Sequence, residues 1–547
     1  MHTKLILVTV GIAALLLIPG GPFGLAQSFS TTAHQLDATD LPSVPSVMTA
    51  SIATDLLLPG SAAPVTPQTA SGSISIADVS DAQKLPAAFW GVNVAAAQSF
   101  TTKDAATVAA TPVTYIRFPG GVLGEEFNYT SGVLTSDNGG GTQNAATTIQ
   151  QFITSCRSIH CKAILQLPAE IDQPQTAAYY VQYVVNTLHF RPSYWEVGNA
   201  VQSWSHFDTP WSQWKHTAPT HVDALSFAQE LEQYVIAIRA VQPAAKIIAL
   251  GLGLGHPNND LDYTTDVAQY DGQNISGISV HSYVTGGAPA HPTGAELLAN
   301  LNGKYSLTAG IDQVRGYIAA ACPKCGLKVF VTEANAAEVD NYTQVISTFP
   351  GTVYVAAVAA QALDLRLRNL DWFAYSSNYA GAWLQGKSFG PQYLLMSQMM
   401  THLGPDTLTN TLSGPSTLYA AATYGPAGLA LFLVNANMSS AVTLNLLNSG
   451  ILNGATVGVE QWNNGSSGPT NSTFTLSTSY KVPALSITIL TVGLPGLGPA
   501  APLETAAAVP TAATSAGDCT GTPVVVHAVA DVPAPLPGSA LQLRSRD

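Results

Sequence analysis

Between Phe89 and Tyr375 the chain repeats one pattern: a short, continuously apolar run, then in most repeats a longer stretch with helical spacing. The apolar runs are Phe89–Val94, Val113–Phe118, Lys162–Leu167, Tyr194–Gly198, Lys246–Leu252, Ile275–His281, Lys328–Thr332 and Asp371–Tyr375. Helical stretches fall at Thr142–Ser158, Gln175–Leu188, Asp223–Val241, Ile311–Ala321 and Thr352–Asn369. Runs without polar alternation read as strands buried on both faces, as in a parallel sheet covered by helices. Eight such units in about 290 residues predict an α/β fold, a (β/α)8 TIM barrel over residues 73–404. A doubly wound open sheet is the structural alternative.

After residue 405 the pattern changes. Thr417–Thr423, Leu429–Val434, Ala441–Leu447, Thr456–Gln461, Ser472–Ser477 and Ser486–Val492 have period-2 character and are separated by Gly, Asn and Pro. They predict an antiparallel β-sandwich over residues 405–495, with Ser73–Ala77 as a candidate extra strand from before the barrel. Residues 27–72 and 496–547 are rich in Ala, Pro, Ser and Thr, lack periodicity, and read as a spacer and a tail.

The first residues read as an export signal: Lys4 precedes the apolar run Leu5–Ile18, and Gly24 and Ala26 fit a cleavage site after Ala26. A retained anchor is the alternative, but the run is short for a bilayer, which needs about 20 residues. In an exported chain, Cys156 with Cys161 and Cys322 with Cys325 are disulfide candidates, which leaves Cys519 over in the tail. A single Cys-x-x-Cys supplies too few ligands for zinc, so neither metal nor cofactor is expected. Six Asn-x-Ser/Thr sites, at Asn128, Asn274, Asn341, Asn437, Asn464 and Asn471, are compatible with a glycosylated exterior. The formal net charge of -13 argues against nucleic acid as a partner. Charged residues are only 10% of the chain, a composition that lessens self-repulsion in acid.

In a barrel of this kind, chemistry sits at the C-terminal ends of the strands. The second run ends in Arg117-Phe-Pro-Gly-Gly121, the third in Gln166-Leu-Pro-Ala-Glu170, and the fourth in Trp195-Glu-Val-Gly-Asn-Ala200. The sixth ends in His281-Ser-Tyr283, the seventh in Thr332-Glu-Ala-Asn335, and the eighth in Tyr375-Ser-Ser-Asn378. From about residue 73 to 495 this set resembles the retaining glycoside hydrolases that carry the acid/base after strand four and the nucleophile after strand seven. The arabinofuranosidase, xylosidase and heparanase-like families look nearest. The resemblance implies that Glu333 is the nucleophile and that Asn199, Arg117, His281 and Tyr283 line the sugar site. It breaks at Ala200, which stands where the acid/base Glu belongs, and at Val201, which replaces a Pro.

Retaining hydrolysis uses two carboxyl groups about 5–5.5 Å apart, one to protonate the leaving oxygen and one to attack the anomeric carbon. A methyl group can do neither. Glu170, His206 and Asp208 are alternative acids, as are Glu125 and Glu126 after the second run; each could equally be a structural or surface group. Arg117 either binds a substrate hydroxyl or pairs with Glu333 or Glu196, which itself reads as a support. Asn199 either binds a sugar hydroxyl or only closes its turn. His281 either orients Glu333 with Tyr283 or is a core histidine. Trp204, Phe207, Trp211 and Trp214 either stack on sugar rings or pack on one another, and Trp372, Tyr379 and Trp383 are candidates for the cleft wall. The expected partner is an oligo- or polysaccharide, met outside the cell or at its surface. Three functional readings stay open: an active glycosidase, a transferring enzyme, and an inactive carbohydrate-binding or structural surface protein. The sugar, the endo or exo mode and the oligomeric state are not legible.

Overall fold

Eight parallel strands close on themselves: β1 (Trp90–Asn93), β2 (Tyr115–Phe118), β3 (Lys162–Leu167), β4 (Tyr194–Val197), β5 (Ile247–Gly253), β6 (Gly277–Ser282), β7 (Lys328–Ala334) and β8 (Leu370–Trp372). β8 pairs with β1, and β5 pairs with both β4 and β6, so no edge is left. This computed structural model describes residues 70–493, apart from 136–140, 171–172, 202–222, 255–256, 284–292, 304–305, 337–342, 377–381, 386–387, 448–454 and 476–477. The closed barrel replaces the open-sheet alternative. The proposed signal segment, most of the spacer, the tail, Cys519, Asn341, Trp204, His206, Phe207, Asp208, Trp211, Trp214, Asn378 and Tyr379 lie outside the described residues.

The barrel interior is built in layers, because side chains two residues apart on a strand share a face. Tyr115, Ile164, Tyr194, Ile248 and Phe330 form an apolar cluster near the strand starts. Two residues further on, the same strands place Arg117, Gln166, Glu196 and Thr332, all buried, toward the C-terminal ends. Polarity therefore switches within one layer, and the polar side is the side where barrel chemistry occurs.

Helices cover the outside. Thr148 caps Ile149–Ser158 through a reciprocal box with Gln151, and Asp223 and Ser306 cap Ala224–Val241 and Leu307–Ala321. Disulfides Cys156–Cys161 and Cys322–Cys325 are formed, the pairs expected from the sequence. A helix at Pro257–Asp271 was not anticipated. Its polar run Pro-Asn-Asn-Asp-Leu-Asp shows no apolar stripe, and it packs beside Ala224–Val241 and Leu307–Ala321.

The C-terminal region forms two sheets. One has seven antiparallel strands in the order Gln83–Lys84, Asp406–Leu408, Leu418–Gly425, Gly428–Asn435, Ser486–Val492, Thr456–Asn463 and Thr470–Thr475. The other has the order Asn410–Ser413, Ala70–Ile76, Val442–Leu447 and Ser479–Val482. The expectation of a wholly antiparallel arrangement needs correction, because Ala70–Ile76 runs parallel to Val442–Leu447. The whole barrel separates these two strands in sequence, so no tight hairpin constrains their direction. That first strand also begins at Ala70, inside the segment read as spacer.

Strand Gly428–Asn435 shows how this region joins the barrel. Leu429, Leu431 and Leu433 share a core with Ile74, Val442, Leu444 and Val482 of the smaller sheet. Ala430, Phe432 and Val434 point the other way, into the barrel's own core, where helix Phe349–Asp364 packs on the strand. An apolar residue at every position is what a strand between two cores requires.

Several acids are buried without a cationic partner among the described residues. Burial pushes Glu230, on Ala224–Val241, up to about 8. It pushes Asp271 up to about 7, with repulsion from Glu232 adding to the effect. These groups stay protonated in the fold at pH values where the unfolded chain has ionised them. Stability is therefore highest below the ordinary carboxylate range and falls as pH rises toward the folded-state values. Thermal unfolding followed by circular dichroism should show a higher Tm at pH 5 than at pH 8. Glu230→Gln should raise Tm at pH 9 by at least about 2 °C and leave it unchanged at pH 5. An equal Tm shift at both pH values would refute the burial account.

Candidate active site

The polar layer converges on one guanidinium. Arg117, at the end of β2, is fully buried. Its Nε donates to Glu196 Oε2 on β4. Its Nη1 donates to Glu333 Oε1 on β7 at 2.6 Å and to Asn93 Oδ1 on β1 at 3.0 Å, and its Nη2 donates to Asn199 Oδ1 at 2.8 Å. A planar fork is the side chain that can serve four acceptors at once. Asn93 in turn donates to Thr332 O, and Thr332 Oγ1 donates to Glu196 Oε1 at 3.0 Å. Glu196 is thus occupied on both oxygens and acts as a support. Asn93 escaped the sequence reading; a lone Asn ending an apolar strand, in register with Arg117, was the available signal.

Glu333 is 5% exposed. Tyr283 Oη donates to its Oε2 at 2.6 Å, and His281 Nδ1 lies 3.5 Å from the same oxygen. Burial pushes the Glu333 carboxyl up, while the Arg117 guanidinium and the Tyr283 hydroxyl pull it back down. Two carboxylates lean on one cation, so the Arg117 charge is shared. His281 is depressed to about 3 by burial and by the nearby Arg117, and is therefore neutral at physiological pH.

Residue 200 sits against a bulge in β5. Register shifts between Ala249 and Leu252, with Leu250 at φ +96° and Gly251 at φ +56°. Ser279 Oγ pins the bulge, accepting from Gly251 N and donating to Ala249 O, both at 2.9 Å. Ala200, at φ +50°, donates its N–H to Gly251 O at 2.9 Å. A Cβ on Gly251 would come within 3.0 Å of Asn199 Cα and 3.1 Å of both Ala200 N and His281 Nε2. Only glycine allows this approach. His281 Nε2 is buried with no hydrogen-bond partner among the described residues.

The sequence candidates thus separate. Arg117, Asn199, His281, Tyr283 and Glu333 come together, and Ala200 adjoins them. Glu125 is a tie between loops: Gln166 Nε2 donates to its Oε1 at 3.1 Å, and the N–H groups of Ala169 and Glu170 donate to its Oε2 at 2.6 and 3.0 Å. Burial pushes it up to about 7. Glu170 is 6% exposed, at the end of that tie. Trp372 and Trp383 need correction. Each is 1% exposed and belongs to the hydrophobic core, Trp383 with its ring centroid 5.9 Å from that of Tyr393. An aromatic residue near a strand end can pack inward as readily as outward, and the sequence alone does not separate the two.

No protein-family model and no curated protein matches the chain. Solved structures do. The chain is similar to an α-L-arabinofuranosidase from Thermotoga maritima in complex with arabinose, with TM-score 0.62 and 16% identity over 78% of this chain and 100% of that one. It is similar to CelM2, a bifunctional glucanase-xylanase from a metagenome library, with TM-score 0.59 and 16% identity over 78% of this chain and 99% of that one. It is also similar to Cel44A, a family 44 endoglucanase from Clostridium thermocellum, with TM-score 0.56 and 14% identity over 78% of this chain and 100% of that one. At such identities the likeness is one of fold: a glycoside-hydrolase-like barrel.

Removing the guanidinium strands two buried carboxylates. Arg117→Leu should cost about 3–5 kcal/mol in urea unfolding. Asn199→Ala, which removes one neutral acceptor, should cost about 1 kcal/mol. A wild-type urea midpoint for Arg117→Leu would disprove the central role of this side chain.

Proposed function

We propose that this protein is an extracellular glycoside-hydrolase-like protein that acts on glycosides or polysaccharides through a retaining-type site, with Glu333 as nucleophile and the acid/base position vacated at Ala200. One observation carries the reading: Glu333 is fixed by Arg117 and Tyr283 on two different oxygens, while residue 200 offers only a methyl group. In the first step a Glu333 oxygen forms a bond to the anomeric carbon, and the leaving oxygen departs with the bonding electron pair. Without a positioned acid, that oxygen must be stable as an anion or take its proton from solvent. In the second step water attacks the same carbon and gives up its proton to solvent, while the bond to Glu333 breaks and returns its electron pair to the carboxylate. The substrates this site favours are those with good leaving groups, and a glycosyl acceptor other than water would make the second step a transfer. On this reading Asn199, which already accepts from Arg117, is the side chain that would meet a sugar hydroxyl. We read the two C-terminal sheets as a β-sandwich, residues 1–26 as a cleaved export signal, and the exterior as compatible with cell-surface association.

Ala200 itself favours a second reading, a carbohydrate-binding protein without turnover. Glu125 and Glu196 are already engaged, and His281 is neutral, so none of the three is a ready replacement acid. His206 and Asp208 lie outside the described residues.

A dinitrophenyl 2-deoxy-2-fluoro glycoside separates these readings. Intact mass should show one glycosyl adduct, mapped by proteolysis to the peptide with Glu333 and absent in Glu333→Gln. No adduct across arabino-, xylo- and gluco-configured probes would eliminate the nucleophile. Ala200→Glu should raise turnover of unactivated glycosides by about 10²–10⁴ and that of dinitrophenyl glycosides far less. A uniform gain on both would mean the added carboxyl is not acting as the acid.

A further inference from the structure

Outside the barrel mouth the structure contains a groove of about 440 Å³, between barrel helices Leu307–Ala321 and Phe349–Asp364 on one side and strands Asn410–Ser413 and Leu418–Gly425 on the other. That volume is within the range of small-molecule sites. Leu418 and Ala420 make an apolar floor with Gln361 and Tyr419, and Asn302, Asp364 and Asn410 stand at the rim.

Two floor atoms are unusual. Gln361 donates through Nε2 to Leu301 O, but its Oε1 is buried with no hydrogen-bond partner among the described residues. The Tyr419 hydroxyl is in the same condition; it lies beside Asn302 but outside hydrogen-bond geometry. Gln361 and Tyr419 are only 9% and 8% exposed. A buried polar group without a partner costs about 1–3 kcal/mol, so each gains from a ligand that supplies one.

The lining narrows the ligand. Among the described lining residues Asp364 is the single carboxylate, it accepts from Asn410 Nδ2 at 3.1 Å, and Arg366 lies close enough to balance its charge. Among those residues an anion finds no unopposed cation, and a metal ion finds one carboxylate where several are needed. A wholly apolar ligand would leave Gln361 Oε1 and Tyr419 Oη unpaired. A neutral polyhydroxylated ring meets every demand: hydroxyls for the amides, the carboxylate and the phenol, and C–H faces for Leu418 and Ala420. We propose that this groove is a second saccharide-binding site, separate from Glu333. It rests on its own side chains and stands whether or not the barrel mouth turns over a glycoside.

Calorimetric titration of the full chain with xylobiose and cellobiose provides the test. Asp364→Asn, Asn410→Ala and Tyr419→Phe should each weaken one class of sites by about tenfold, the effect of one lost hydrogen bond. Glu333→Gln should leave that class unchanged. Tyr419→Phe removes only an unpaired hydroxyl, so an unaltered Tm keeps this variant informative if the others fold poorly. The proposal is overturned if the groove variants bind as wild type, if Glu333→Gln abolishes all binding, or if neither sugar binds at millimolar concentration. Loss of binding in Glu333→Gln alone would instead locate the only saccharide site at the barrel mouth.

Discussion

Everything at the barrel mouth depends on one buried cation. Arg117 reaches from β2 to acceptors on β1, β4 and β7 and on the turn after β4. A buried carboxylate is costly unless paired and hydrogen-bonded, and here two carboxylates are satisfied by one fork. The position of Glu333 is therefore no local property of its strand. It is the position at which a guanidinium held by Glu196, Asn93 and Asn199 can also be met. Tyr283, just past the end of β6, fixes the other oxygen, so Glu333 is held from two directions.

Residue 200 is set in this frame. Ala200 is held by the β5 bulge, and Gly251 permits the contact because it has no side chain. The backbone at residue 200 is thus specified as closely as the side chain of Glu333. Under the proposed function, what residue 200 lacks is the proton transfer, while the backbone around it is held in place by Gly251 and Ser279.

How much of this was legible follows from the physics of each signal. The eight barrel strands could be read because strands buried on both faces must be continuously apolar. All eight lie within a few residues of their expected limits. Arg117, Asn199, His281, Tyr283 and Glu333 were legible because polar groups at the ends of such strands stand out. What sequence could not convey was pairing across the barrel. That Arg117 joins Glu196 to Glu333 depends on which strands face each other, and the closure that decides this involves residues more than 200 positions apart. Helix Pro257–Asp271 was missed because its polar sequence carries no stripe. Trp383 was misplaced because burial of an aromatic depends on what covers it, here Tyr393. The parallel pairing of Ala70–Ile76 was hidden because the two partners are separated by the entire barrel.

The buried acids add a constraint that acts on the site as well as on the fold. The chain has 33 acidic and 20 basic residues, and several of the acidic ones are buried in the fold. Glu125, Glu230, Asp271 and Asp371 are all pushed up by burial. For these groups acid is the stabilising direction. The role proposed for Glu333 has the opposite need, since a nucleophilic carboxylate must be ionised to attack. The two demands can be met at one pH only if Glu333 is treated differently from the other buried acids. Among these raised carboxyls it is the one that Arg117 contacts directly through a guanidinium N–H, and that contact opposes the upward push of burial. On that reading Arg117 lowers the pH at which Glu333 ionises, and the buried carboxyls set the upper edge of the range in which the fold is most stable.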